Sequence, residues 1–473
     1  MTKFDLNEQM SKAFDLIENT HEHVFITGVA GSGKTTFLKY LQSHTKKNMM
    51  VVAPTGIAAI NAGGATIHSA FSIQLGPFMP NIRSGYLKPA GKVYKIKKEK
   101  IEVMQHLELL VIDEVSMVRC DLMDAVNDVL CSMRKNHDEM FGGVQVVMIG
   151  DLYQLSPVAS EKECEILKQA YRSSLYFFES YALKEAGFRM IEFTKVYRQT
   201  DNEFLTILNE IRRGVLTDES YEELKKQYDP HYDTNEPGML ILCTHNEQAE
   251  RTNAKRLEEM EGDLYCFEGD IQGNFKQSNC PVEYTINLKV GAQVMFLVND
   301  NKNGRYCNGT IGEVVRCEYR GDDFTYDTVW VMLNNDPDDV VKVTPNQWDN
   351  FEYKINENGE VVKESVGKFT QLPLKLAWAI TVHKSQGLTF DKIVVNLSRS
   401  FCPGQVYVAL SRCRTLENTH FVSMFMKSQV TTDRHINKFM RTMRALEASM
   451  SLNEDDSVGV AEKEEIDDER DDF

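Results

Sequence analysis

No run in this 473-residue sequence approaches the ~20 consecutive apolar residues that a membrane span requires. The opening residues, MTKFDLNEQM, lack the basic-then-apolar order of a secretory signal and the Arg/Ser richness of a transit peptide. These absences exclude membrane and secreted readings and lead to the expectation of a cytoplasmic protein. Cys-x-x-Cys pairs are also missing. The ten cysteines are scattered singly, which supplies no zinc ligand set and suits reduced thiols in protein cores. No fixed short repeat is present.

Positive charge is scarce, with a formal net charge of −17, which at first argues against a polyanionic partner. Its distribution changes that. Residues 454–473 contain eleven acids and two bases, so the tail carries −9 and the other 453 residues only −8. The tail has few large apolar residues, and 451–473 is expected to be a disordered acidic segment. Elsewhere the composition is ordinary for a globular chain, 42% hydrophobic and 26% charged, and the length suits about three domains at ~150 residues each.

What is present first is alternation. Apolar runs at 24–27, 50–53, 109–112 and 144–149 read as buried strands, and helical patterns at 34–42 and 121–134 lie between them. Such order predicts a parallel sheet with helices on both faces and ligands at the carboxyl ends of the strands. A strand at 239–243 and a helix at about 246–259 open a second pattern of this kind, which resumes at 376–382 and 392–397. Between them, about 294–370, short β-like segments alternate with Asn-, Asp- and Gly-rich turns, predicting a small antiparallel barrel inserted into the second α/β domain.

Gly28-Val29-Ala30-Gly31-Ser32-Gly33-Lys34-Thr35 matches G-x-x-x-x-G-K-[ST] between a strand and a helix, the context that the motif requires. Its backbone N–H groups can close on phosphate oxygens, Lys34 can reach the β- and γ-phosphates, and the Thr35 hydroxyl can hold Mg²⁺. The strand at 109–112 ends in Asp113-Glu114, where Asp113 suits the magnesium shell and Glu114 suits a general base for water. The segment Gly150-Asp151-x-x-Gln154 ends the next strand and offers an amide to the γ-phosphate. Charge developing on a transferring phosphoryl group also calls for arginines from outside the loop, and Arg198 and Arg412 are the candidates.

In order, these segments resemble the helicase motifs of superfamily one, most closely the Pif family of DNA helicases in its 5′-to-3′ subgroup. The resemblance runs from about residue 6 to 426. Leu6-Asn7-Glu8-Gln9 resembles the adenine-reading motif, and Ala53–Gly56 and Thr66–Ser69 resemble DNA-contacting motifs. Asp113–Val118 continues into the family's signature stretch, through Phe141-Gly142-Gly143 to Gly150–Pro157. Tyr197-Arg198-Gln199, Thr381–Gly387 and Gln405–Arg412 are similar to the last three motifs.

The resemblance implies two RecA-like domains with ATP and Mg²⁺ in the cleft between them. The first would cover 1–200, with a strand-separating pin at about 72–100 whose tip lies around Gly76–Tyr86. The second would cover 201–293 and 371–450, with an SH3-like subdomain at 294–370. Gln9, Gly28–Thr35, Thr36 and Gly387 would bind ATP, Thr35 and Asp113 the metal, and Lys34, Glu114, Gln154, Arg198 and Arg412 would act in hydrolysis. Pro54, Thr55, His68, Ser69, Thr244, Asn246, His383, Lys384 and Ser385 would contact single-stranded DNA. By physics alone His68 and His383 could equally be structural histidines.

The implied activity is ATP-dependent 5′-to-3′ translocation on single-stranded DNA with unwinding of forked duplex, extending by family to G-quadruplex or RNA–DNA hybrids. The sparse residues before Gln9 suit a bacterial or phage-type, nucleoid-associated enzyme. An RNA helicase and a nucleotide-switched single-strand-binding subunit are the rival readings, the second favoured by the acidic tail.

Overall fold

A computed structural model describes residues 6–450 apart from 84–85, 89–93, 172–173, 200, 235, 301–302, 319–326, 334–335, 337, 398–402 and 424. The acidic tail and part of the expected pin segment lie outside the described residues. Among the described residues no helix is long and apolar enough to cross a membrane.

The apolar run after residue 23 forms the strand Val24–Gly28, buried along its whole length. Three similar runs give Met49–Ala53, Leu109–Ile112 and Gln145–Ile149, and a mixed segment with partly exposed Arg189 and Glu192 gives the edge strand Arg189–Phe193. With the short edge Ala65–Thr66 they form a six-stranded sheet ordered 65–66, 49–53, 109–112, 145–149, 24–28, 189–193. Every pairing in it is parallel. Strand side chains alternate between two covered faces. Val24 and Ile26 pack with Met10, Ile17, Phe37 and Leu41 from the helices Glu8–Asn19 and Lys34–His44. Phe25 points the other way, into a core with Val126, Val129 and Leu183 from the helices Cys120–Arg134 and Tyr181–Ala186. Burial on both faces explains why the central strands read as apolar runs.

A second parallel sheet is ordered 379–381, 240–243, 393–396, 419–423. Between its strands lies an antiparallel unit. It contains a five-stranded sheet (340–343, 328–333, 311–318, 293–296, 374–376), a three-stranded sheet (270–273, 361–371, 346–355) and the pair 265–268 with 285–288. Phe267, Val294, Phe296, Trp348 and Phe369 draw them onto one core. The antiparallel strands therefore begin at Tyr265, well before residue 294. The β-like segments expected at 327–333 and 340–343 are the strands Thr328–Leu333 and Val340–Val343, and after them comes a long hairpin that the sequence pattern did not single out, Asn346–Ile355 and Val361–Gln371. The Asn356 side chain accepts from the N–H groups of Asn358 and Glu360 and turns the chain there.

In the expected pin segment, Asn81–Arg83 pairs antiparallel with Tyr86–Lys88. The residues between these two strands lie outside the described residues.

The 346–371 hairpin reaches back to the first sheet. The edge strand Ala65–Thr66 pairs only with Val52 and Ala53, leaving the Val51 peptide groups open. The buried Tyr353 hydroxyl fills that gap: it accepts from Val51 N–H and donates to Val51 O, each at 2.9 Å. Tyr353→Phe strands two buried backbone groups, which costs about 1–3 kcal/mol. Thermal melting of that variant is expected to begin at lower temperature than wild type, with faster amide exchange in 49–53 and 346–371; unchanged exchange in both segments would contradict this docking.

Candidate nucleotide site and nucleic-acid track

The phosphate loop leaves the strand Val24–Gly28 and enters the helix Lys34–His44. Gly33 caps this helix at φ +88°, where a Cβ would stand 2.7 Å from Met10 Cε. No side chain caps the first-turn N–H groups, so they are available to an anion together with the positive end of the helix dipole. At Gly31, φ +80°, a Cβ would stand 2.5 Å from Arg198 Cβ, so the glycine admits the arginine against the loop. The Ser32 hydroxyl is buried without a partner. A triphosphate suits these features: it offers an acceptor to that hydroxyl and to the loop N–H groups.

Lys34 Nζ donates to the carbonyls of Gly28 at 2.8 Å and Val29 at 3.1 Å. Burial pushes its pKa down, against the opposing pull of Asp151 and Glu114. Asp113 and Glu114 follow the buried strand Leu109–Ile112. Burial raises both carboxyls, and Glu114, further raised by Asp113, is pushed up to about 7. Glu114 also has φ +51°. The left-handed region costs a non-glycine residue roughly 1–2 kcal/mol, a strain typical of functional positions. Thr35, exposed at the helix start, and Asp113 together provide the hard oxygen donors that magnesium takes, so the donor chemistry fits that ion.

The second domain closes on this site. Gln386 Nε2 donates to Glu114 Oε2 at 2.8 Å and to Gln154 Oε1 at 3.2 Å. Arg198 Nη1 donates to Ser411 O at 3.1 Å, and Gln199 Nε2 donates to the Ser411 and Cys413 carbonyls. Arg412 is fully buried and donates to Val408 O at 2.8 Å and Ser411 Oγ at 2.7 Å. Burial and the charge of Arg198 push the Arg412 pKa down to about 9. Burial lowers Arg198 as well. Two desolvated guanidiniums so close favour an anion between the domains. Gln9 is held by Thr194, donating to its hydroxyl and accepting from its N–H at 2.9 Å each. Gly387, φ +80°, follows Gln386 in the turn.

Of the expected DNA contacts, Thr55, Ser69, Asn246, His383 and Lys384 are exposed, and Pro54 and His68 are partly so. Thr55 and Asn246 stand just beyond the carboxyl ends of the strands 49–53 and 240–243. Two expectations need correction. Ser385 is fully buried and its hydroxyl donates to Val382 O at 2.7 Å, so it shapes the turn and has no surface for a strand. Thr244 is buried too, its hydroxyl 2.8 Å from His245 Nδ1. Both occupy motif positions, and motif position carries no information on which way a side chain turns.

Sequence reasoning passed over Gln386 and Tyr197. Gln386 lies inside a quoted motif, but only the tertiary structure reveals its reach across the cleft. The Tyr197 ring is half exposed beside Gly33 and its hydroxyl accepts from Asn7 Nδ2 at 3.1 Å, a flat surface next to the loop on which a base can stack. An aromatic next to Arg198 was the available signal.

A family model described as PIF1-like helicase matches residues 5–222, and one described as DNA helicase Pif1, 2B domain, matches 274–317. Human ATP-dependent DNA helicase PIF1 is 30% identical over 98% of this chain and 68% of its own length. Bacteroides Pif1 in complex with ADP-AlF4 is 41% identical, covers 94% of this chain and 98% of its own, and superimposes with a TM-score of 0.85. Bacteroides Pif1 bound to single-stranded DNA is 42% identical over the same shares, with a TM-score of 0.65. Fold and cleft together define a two-domain, RecA-like P-loop motor. Within that class, the chain belongs to the Pif1 helicase family.

Glu114→Gln is expected to lower ATP hydrolysis by ~10²-fold or more, the usual contribution of a general base, while a fluorescent ATP analogue still binds. Lys34→Ala is expected to weaken binding and hydrolysis together. Near-normal phosphate release by either variant would contradict the assignment.

Proposed function

We propose that this chain is an ATP-dependent DNA helicase that moves 5′ to 3′ on single-stranded DNA and displaces the complementary strand at a fork. The observation that carries this reading is how near its two sites lie. His383 and Lys384 are exposed, and Gln386, two residues on, touches Glu114 and Gln154. A strand held at 383–384 and a nucleotide acted on at Glu114 therefore pull on one short turn.

In this reading Gln9 and Tyr197 hold the base, and the loop N–H groups with Lys34 hold the phosphates. Thr35 and Asp113 would hold magnesium, which would supply positive charge against the phosphates. The Glu114 carboxylate orients water and takes its proton. Arg198 and Arg412 offset the charge that develops, so hydrolysis is completed only when the domains are together. Thr55 and Ser69 on one domain, and Asn246, His383 and Lys384 on the other, would grip the strand alternately as the cleft opens and closes. G-quadruplex DNA is a further candidate substrate of the same motor.

Strand displacement from duplexes with a 5′ or a 3′ single-stranded DNA tail tests this directly. With Mg²⁺-ATP only the 5′-tailed duplex should be displaced, and EDTA should abolish it. Displacement from the 3′ tail alone would overturn the direction. Failure with both tails, despite DNA-stimulated ATPase, would favour the nucleotide-switched binding subunit, and stronger stimulation by RNA would favour the RNA helicase.

A further inference from the structure

Arg212 lies in the last turn of the helix Asn202–Arg213, outside every motif quoted above, and is buried together with Asp151. Its Nη2 donates to Asp151 Oδ1 at 3.1 Å, its Nη1 stands 3.7 Å from Glu192 Oε1, and its guanidinium lies 4.3 Å from the centre of the Tyr153 ring. Burial works against its charge, but Asp151, Tyr407 and Glu192 more than offset that and hold its pKa above the ordinary value. Three further donors converge on the same carboxylate. Tyr153 N–H reaches Asp151 Oδ1 at 3.2 Å, and Gln154 Nε2 and the Tyr407 hydroxyl each reach Oδ2 at 3.3 Å.

Gln154 carries the chain onward. Its Oε1 accepts from Gln386 Nε2 at 3.2 Å, and that same nitrogen donates to Glu114 Oε2 at 2.8 Å. Two amides thus run head to tail between two carboxylates, Asp151 at one end and Glu114 at the other. The two ends of a glutamine amide have nearly the same shape, so only its partners decide which way it points. An ionised carboxylate can only accept, whereas a buried one without a cation takes up a proton and can donate. A donor at position 151 would attract the Gln154 oxygen, turn its nitrogen towards Gln386 and so turn the Gln386 oxygen towards Glu114. Glu114 would then face an acceptor where it now has a donor.

We propose that Arg212 is a positioning residue for hydrolysis: paired with Asp151, it fixes the direction of the Gln154–Gln386 amide pair, so that the second domain presents a hydrogen-bond donor to Glu114. The proposal rests on the reading of Glu114 as the base of an ATP site. It gives a residue far from the phosphate loop control over how the two domains meet at the hydrolytic carboxylate.

The test measures DNA-stimulated ATPase of the full chain with Mg²⁺-ATP, beside the affinity for a fluorescent non-hydrolysable ATP analogue. Arg212→Met removes the cation, and Asp151→Asn replaces one accepting oxygen with a donor. Each should lower kcat by at least ~10-fold, part of what a well-placed base contributes, while nucleotide affinity stays within a few fold. In the Gln386→Ala background the amide chain is already cut. There either substitution should cost less than about threefold more, because effects carried by one network do not simply add as free energies. A merely structural role would lower the melting temperature without lowering kcat of the folded variants, and that result would overturn the proposal. So would a full further loss in the Gln386→Ala background. Wild type without ATPase would instead overturn the reading of the ATP site. Should Arg212→Met not fold, Asp151→Asn decides alone.

Discussion

The loop at 28–35 has to be shared. Its backbone belongs to the first domain, but its immediate surroundings come from elsewhere in the chain. Arg198 packs on Gly31, Met10 on Gly33, and the Tyr407 hydroxyl on Ala30. The glycines of this loop carry no side chains, which lets neighbours from elsewhere in the chain pack against it and complete the site. The requirement that both domains meet at one loop explains why so much polar chemistry is buried here. It also explains why the site is complete only when the domains are close.

Burial gives the cleft its electrostatic character. Lys34, Arg198 and Arg412 are all pushed towards losing charge by desolvation, and Asp113 and Glu114 are pushed towards gaining protons. A triphosphate would compensate the cations, and a hard cation would compensate the carboxylates. Within the cleft these groups meet neutral dipoles: carbonyls at Lys34, Ser411 at the arginines, and the Gln386 amide at Glu114. Each is a weaker partner than a full charge of opposite sign.

The parallel sheets were legible because their strands are buried on both faces and read as apolar runs; 109–112 and the helix Asn246–Glu259 fall where the pattern places them. The phosphate loop and Asp113-Glu114 were legible because their chemistry demands fixed spacing beside a strand. The hairpin 346–371 was not, since its polar, partly exposed strands resemble a solvated stretch and only Trp348, Tyr353 and Phe369 mark an inner face. Ser385 and Thr244 were misread because a motif fixes a backbone position without fixing side-chain direction. Gln386 and Tyr407 were present in quoted motifs, but their roles depend on contacts with residues hundreds of positions away.

The central claim is that the second domain reaches the hydrolytic carboxylate through Gln386. DNA-stimulated ATPase of Gln386→Ala, measured beside nucleotide affinity, tests it most directly. The account predicts that kcat falls by at least ~10-fold, since a misplaced base loses much of a contribution worth 10²–10⁴, while nucleotide affinity changes by no more than a few fold. A variant with wild-type kcat and wild-type stimulation by DNA would contradict it.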